Sequence, residues 1–186
     1  LSLVGSEMCI RDRDGTYYFK THYYLPESAL KDKADKELYK YWKQQGYLTV
    51  TSGNVTDYDY ITADMLRYAD VVNIQSVGYD KYNATQWAID STEQGLPLEE
   101  YPQTLGNFNM PTRELERLIL SGKAVIDNNE INRYCFRNVT LKSDYNGNVK
   151  PNKAVDKKKI DGTIAMIQAL GMYLRNPRFS NEIITI

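Results

Sequence analysis

The sequence predicts an α/β fold, a mixed sheet flanked by helices, and three observations carry that prediction. Short β-rich runs alternate with amphipathic stretches along the whole chain. The run from Val71 to Tyr79 is apolar without clean alternation, which suits a strand covered on both faces. The run from Asp161 to Leu174 is apolar around most of its circumference, which marks a buried helix. A chain of 186 residues, 42% hydrophobic and 25% charged, is long enough for one domain with its own core.

The elements follow in order. Asp14-Gly15 is a turn signal, and Thr16 to Leu25 reads as a strand that Pro26 ends. Ser28 is placed to cap a helix with the stripe Leu30, Ala34, Leu38, Tyr41 and Trp42, closed by Gly46. Tyr47 to Thr51 is a short strand. Thr56 with Asp59 resembles a capping box ahead of Ile61, Met65 and Ala69. Val71 to Tyr79 is expected as the central strand. Asn83 with Gln86 is expected to cap a helix carrying Ala84, Trp87 and Ala88 and ending at Gly95. Leu98 to Tyr101 is a further strand. A helix is expected to begin near Pro111, with Leu115, Leu118 and Ile119 on one face and Gly122 after it. Lys123 to Ile126 reads as a strand, Asn129 to Tyr134 as a helix, and Phe136 to Lys142 as a strand. The turn Asp144 to Asn148 leads back toward Val149-Lys150. The last helix runs from Asp161 to Leu174, and Asn176-Pro177 stops it.

Residues 1–13 resemble a translated sequencing-library adapter and are expected to stand outside the fold. The organisation expected is therefore 1–13 as a non-native segment, 14–175 as the domain, incomplete at its start, and 176–186 as a tail. With Cys9 set aside, Cys135 is the remaining cysteine, so a reducing compartment is expected. No apolar stretch approaches the roughly 20 residues that cross a bilayer, so no membrane partner is expected.

The residue inventory restricts the chemistry. His22 is the sole histidine; zinc sites need more nitrogen or sulfur ligands than the chain supplies, and Ser-His-Asp hydrolysis needs a base in a better place than this β-rich run. No glycine-rich phosphate loop of either standard kind is present. A catalytic metal here must be held by oxygen, which favours Mg²⁺ or Mn²⁺. Two carboxylates stand out. Asp80 follows an apolar strand, where open α/β sheets gather ligands; an Asx-turn is its alternative reading. Asp161 opens the buried helix; capping free N–H groups is its alternative. From Lys142 to Lys159 there are six lysines against two aspartates in a chain of net charge −1. That stretch is either a solvated loop or a contact for a phosphate backbone.

In these residues the chain resembles the nuclease domain of the large terminase subunit of tailed bacteriophages, over about Asp14 to Leu174. The matching stretches begin with Tyr23-Tyr24-Leu25-Pro26-Glu27 and Tyr41-Trp42-Lys43-Gln44-Gln45-Gly46. Val77 to Ala84, Gln103-Thr104-Leu105, Asn109 to Glu116 and Asn129 to Asn138 follow. Gly147 to Lys153 and Lys159 to Met166 complete the series. The specificity lies in their joint order.

The resemblance implies an RNase H-like fold that cuts double-stranded DNA with carboxylates around two divalent ions. It implies Asp80 as the second acid and Asp161 as the C-terminal acid. The first acid belongs to an opening strand expected to be missing here, so the chain is expected to be catalytically incomplete. Asn138, Lys142, Lys150 and Lys153 are candidate DNA contacts. The implied partners are a portal protein, a small terminase subunit and further copies in a homo-oligomeric ring, in the host bacterial cytoplasm. A non-catalytic module that grips DNA or the portal remains open as an alternative. So does another RNase H-like DNA enzyme, such as a transposase.

Overall fold

The computed structural model describes residues 4–12, 14–31, 35–82, 84–155, 158–176 and 183–185. Its main sheet is built on β2 (Tyr17–Pro26), whose aromatic and β-branched residues favour extended backbone. One edge of β2 pairs antiparallel with β1 (Val4–Arg11), from Val4 opposite Tyr24 to Arg11 opposite Tyr17. Along the other edge, two strands pair with β2 in parallel. They are β3 (Thr49–Thr51), beside Tyr24 to Pro26, and β6 (Ala124–Ile126), beside Tyr17 to Phe19. A last strand, β9 (Ile183–Thr185), pairs antiparallel with β1.

The place of residues 4–11 corrects the expectation that the first 13 residues lie outside the fold. They hydrogen-bond along β2, and Cys9 is 1% exposed in the main core. An opening strand is therefore present, and Glu7, opposite Thr21 in the register, is the acidic residue of its sequence. The expected tail also contributes a strand, β9.

Helices cover both faces of β2. Tyr17 and Phe19 join a core with α4 (Leu105–Leu120) and α6 (Asp161–Arg175). Tyr23 and Leu25 join a second core with α1 (Lys36–Gln44) and α5 (Glu130–Asn138). Tyr24 faces a third core with Ile61 and Met65 of α2 (Tyr58–Ala69). This two-sided burial is the α/β arrangement expected.

Several boundaries differ from expectation. The helix expected after Ser28 divides into a 3-10 turn (Glu27–Lys31) and α1, and its buried residues are Tyr39 and Trp42 while Tyr41 is exposed. Ala34 lies outside the described residues. Asp57, not Thr56, caps α2 by accepting from the Tyr60 N–H at 2.9 Å. The expected central strand is short: β4 (Val77–Tyr79) pairs in parallel with β5 (Leu98–Glu100) in a separate two-stranded sheet. Helix α3 (Thr85–Glu93) follows, and its expected cap Asn83 lies outside the described residues.

Helix α4 begins at Leu105, capped by Thr104, so Pro111 lies inside it. Proline removes the N–H that would bond the carbonyl four residues earlier. That carbonyl, on Asn107, instead accepts from the Tyr101 hydroxyl at 2.7 Å, which satisfies the freed acceptor. Strands β7 (Val139–Ser143) and β8 (Val149–Lys153) form an antiparallel hairpin. In its turn Gly147 takes a φ of 78°, and Asp144 accepts from the N–H groups of Asn146 and Asn148. Pro177, expected to stop α6, is outside the described residues.

Helix α6 packs across β1 and touches α4, α5 and β4. Its glycines allow the approach. A Cβ at Gly162 would lie on the Tyr23 hydroxyl, and one at Gly171 on the Tyr101 hydroxyl. A Cβ at Gly5 of β1 would lie in van der Waals contact with the Gly162 backbone. The N-terminus of α6 is thus seated between β1 and β2.

Candidate functional site

Asp161 is in the first turn of α6, where its carboxylate meets its own backbone N–H. That contact is of the kind the capping alternative expects, and it leaves the second carboxylate oxygen to be accounted for. Its Oδ2 atom is buried with no hydrogen-bond partner. Burial raises its pKa, against the nearby charges of Lys159 and Lys153. Beneath the same helix end lies Cys135 of α5, whose thiol burial pushes up to about 11. Tyr23 fixes the approach from the other side: its hydroxyl donates to Asn132 Oδ1 at 2.5 Å. Asn132 in turn donates to Asp127 Oδ1 at 2.6 Å.

Asp80 stands just beyond the carboxyl end of β4, where the strand reading put it. Its Oδ1 accepts from the Tyr82 N–H at 3.1 Å, so the Asx-turn reading also holds. It is half-buried at the mouth of a cavity of about 200 Å³. Tyr58, Tyr79, Tyr82 and Trp87 line this space with Gly5, Ala165 and Gln168. After burial, the Asp80 charge is the next cause of the raised pKa of Tyr58.

Helical spacing relates Asp161 to the lining of the Asp80 cavity. Asp161, Ala165 and Gln168 follow at i, i+4 and i+7, so they share one face of α6. Two of the three line the Asp80 cavity, and Asp161 stands one turn above Ala165 on that face. The donor set at these positions is carboxylate oxygen, which suits a hard divalent cation. Among the described residues no group of three or more His, Cys, Asp or Glu gathers at one point.

The four candidate DNA contacts lie along the β7–β8 hairpin. Lys142 is directly opposite Lys150 in the antiparallel register. Lys153 stands three positions along, opposite Val139, at the end whose charge reaches Asp161. Asn138 ties the base of the hairpin to α5. Its Nδ2 donates to Tyr134 O at 2.9 Å, and its carbonyl accepts from the Ala154 N–H at 2.8 Å. Lys157 of the basic run is outside the described residues.

Gln168, Tyr58 and Trp87 join the cavity lining without having stood out in the sequence as site residues. An available signal was the spacing of Gln168 from Asp161. His22, read as a strand residue, is on β2 and pairs with the Tyr68 hydroxyl at 2.8 Å.

Known proteins resemble this chain in sequence and in fold. Protein YmfN of Escherichia coli (strain K12) is 31% identical over 192 residues, covering 93% of this chain and 41% of that protein. The large terminase subunit of Enterobacteria phage HK97 is 27% identical, covering 85% of this chain and 32% of its own length. The chain therefore spans well under half of either relative. The crystal structure of the HK97 bacteriophage large terminase superposes with a TM-score of 0.83 at 26% identity, over 92% of this chain and 36% of that one. The large terminase nuclease of thermophilic phage G20c shares the fold, with a TM-score of 0.52 at 15% identity over 66% of this chain and 64% of that one. The expected RNase H-like α/β class is borne out. The sequence profile for the terminase large subunit endonuclease domain matches residues 4–176, and the chain belongs to that family.

Proposed function

We propose that this chain is the metal-dependent endonuclease part of a DNA-packaging terminase, cutting concatemeric double-stranded DNA with Asp80 and Asp161 as metal-holding carboxylates. The single observation that carries the reading is the buried, partnerless Oδ2 of Asp161. A carboxylate oxygen kept from water without a donor is costly, and a cation is the partner that relieves it. Asp80 supports the reading from the cavity mouth on the same side of α6. Asp80 and Asp161 would hold Mg²⁺ or Mn²⁺, which would supply an activated water and charge stabilisation for the leaving 3′ oxygen. Lys153, and Lys142 with Lys150 farther along the hairpin, neutralise the DNA backbone and hold its phosphates toward Asp161. The chain alone is proposed to be inactive, as a fragment of a longer enzyme, because it spans only 41% and 32% of the longer relatives it matches. In that enzyme the portal protein, the small terminase subunit and further copies in a ring are the proposed partners, in the bacterial cytoplasm.

The test is plasmid cutting in Mn²⁺, by this chain and by a full-length relative carrying it. Substituting Asp80→Asn or Asp161→Asn should lower cutting by the relative at least about a hundredfold, the scale on which charge-stabilising catalytic groups act. Unchanged cutting by both variants would sink the assignment. Robust cutting by the isolated chain that either substitution abolishes would overturn the proposed inactivity while keeping the two roles. A second reading, a DNA-gripping module without chemistry, is favoured by the opposed pair Lys142 and Lys150. It predicts binding that ignores metal and both aspartates.

A further inference from the structure

We propose that the cavity beside Asp80 is a subsite for one unstacked nucleobase, stacked on its aromatic lining and read by the amide of Gln168. The inference rests on the reading of Asp80 as a carboxylate that faces a DNA phosphate. Its geometric support is separate from that reading.

The cavity measures about 200 Å³, which suits one planar ring system with the sugar and phosphate left outside. Small-molecule sites usually start at roughly 300 Å³. Its walls have the chemistry that holds bases. The Trp87 ring meets that of Tyr58 at 5.5 Å with 31° between planes, and that of Tyr79 at 6.0 Å edge-on. Trp87 is locked in orientation because its Nε1–H donates to Thr62 Oγ1 at 2.8 Å. At the mouth Tyr82 is 80% exposed, with its own N–H tied to Asp80. An aromatic side chain left in water beside an aromatic-lined cavity is a ready stacking platform, and stacking tolerates any base.

Gln168 supplies the independent observation. It is 8% exposed, it lines this cavity, and its Nε2 has no acceptor. A buried amide N–H without an acceptor is unfavourable. The ring carbonyl of a thymine, cytosine or guanine offers that acceptor. A base drawn into the cavity leaves its phosphate at the rim, where Asp80 stands. The substrate strand would therefore be locally unstacked at this site, as enzymes acting on duplexes do when they turn a nucleotide out.

The experiment uses the whole chain in EDTA, so no cutting intervenes. A short fluorescein-labelled oligothymidylate and an abasic strand of equal length are compared by anisotropy. The abasic strand should bind about tenfold more weakly, the scale of base–aromatic stacking. Tyr82→Ala and Gln168→Leu should each weaken oligothymidylate binding about five- to tenfold and leave abasic binding unchanged. Tyr82 is at the exposed rim, so its variant keeps the test valid if Gln168→Leu unfolds. Equal binding of both strands by the parent chain overturns the proposal, as does equal weakening of both by Tyr82→Ala. Failure here with metal-dependent cutting intact removes the base subsite alone. Base-dependent binding in a relative whose cutting ignores Asp80 and Asp161 removes the nuclease assignment alone.

Discussion

At Asp161 a carboxylate is held where water cannot solvate one of its oxygens and no donor replaces the water. Burial raises its pKa, so the folded chain binds this proton more tightly than the unfolded chain. Stability from this group is therefore full below the ordinary carboxylate value and falls as pH rises from there through the raised value. Asp161→Asn removes that loss. Without divalent cation at neutral pH, the variant should melt a few degrees higher, about 2–4 °C for each kcal/mol recovered. Mn²⁺ should raise the melting temperature of the parent chain and leave the variant unmoved, because binding stabilises only the form that binds. Calorimetry at several pH values reads both effects, and a variant less stable than the parent in EDTA would show that Asp161 has an unnoticed structural partner. Asp161 was legible in the sequence because an acid entering an apolar helix is chemically conspicuous. Gln168 was not, since a glutamine reads alike whether its amide is bonded or opens into a cavity.

At the scale of elements, α6 governs the site, because its register decides where Asp161 and Gln168 point. That register is set by two glycines that receive tyrosine hydroxyls, from Tyr23 at Gly162 and from Tyr101 at Gly171. The second contact continues into α4, where the same Tyr101 hydroxyl completes the carbonyl that Pro111 leaves free. Gly171→Ala tests the linkage. Helix propensity alone favours alanine by about 1 kcal/mol. The new methyl would strike the Tyr101 ring, displace its hydroxyl from Asn107, and cost about 1–3 kcal/mol from overpacking plus roughly 1 from the lost bond. The net expectation is destabilisation by about 1–3 kcal/mol, read from urea unfolding; a more stable variant would refute the packing account. The sequence showed α6 clearly because its apolar residues run through four turns. It misplaced the start of α4 because proline ordinarily marks a first turn, and the rescue by Tyr101 is a tertiary contact. It overextended β4 because Val71 to Gln75 is apolar in part without finding a strand partner.

At the scale of the molecule, a chain of net charge −1 places Lys142, Lys150 and Lys153 on one hairpin, and the last of them reaches Asp161 with its charge. The α/β class and the order of elements were legible, since periodicity is local. The sheet order β3-β2-β1-β9 was not, because pairing across the chain leaves no local trace, and residues 4–11 gain their place through pairing with β2 and β9 and packing against α6. The hairpin is where global charge becomes testable. Like charges directly opposite across antiparallel strands destabilise the pair. Lys142 and Lys150 occupy such positions, with Lys153 about 10 Å along at the Asp161 end, by the rise of about 3.3 Å per residue. A bound phosphate backbone reverses the penalty by neutralising both lysines. If both contact duplex DNA, each releases condensed counterions and contributes about 0.9 to the slope of log affinity against log salt. Replacing Lys142 and Lys150 together by alanine should flatten that slope by about 1.8 and weaken binding most at low salt. In the absence of DNA the same change should leave the hairpin as stable or slightly more so, since the repulsion is gone. An unchanged salt slope in the double variant would remove this hairpin from the DNA path and leave its lysines as solvated surface.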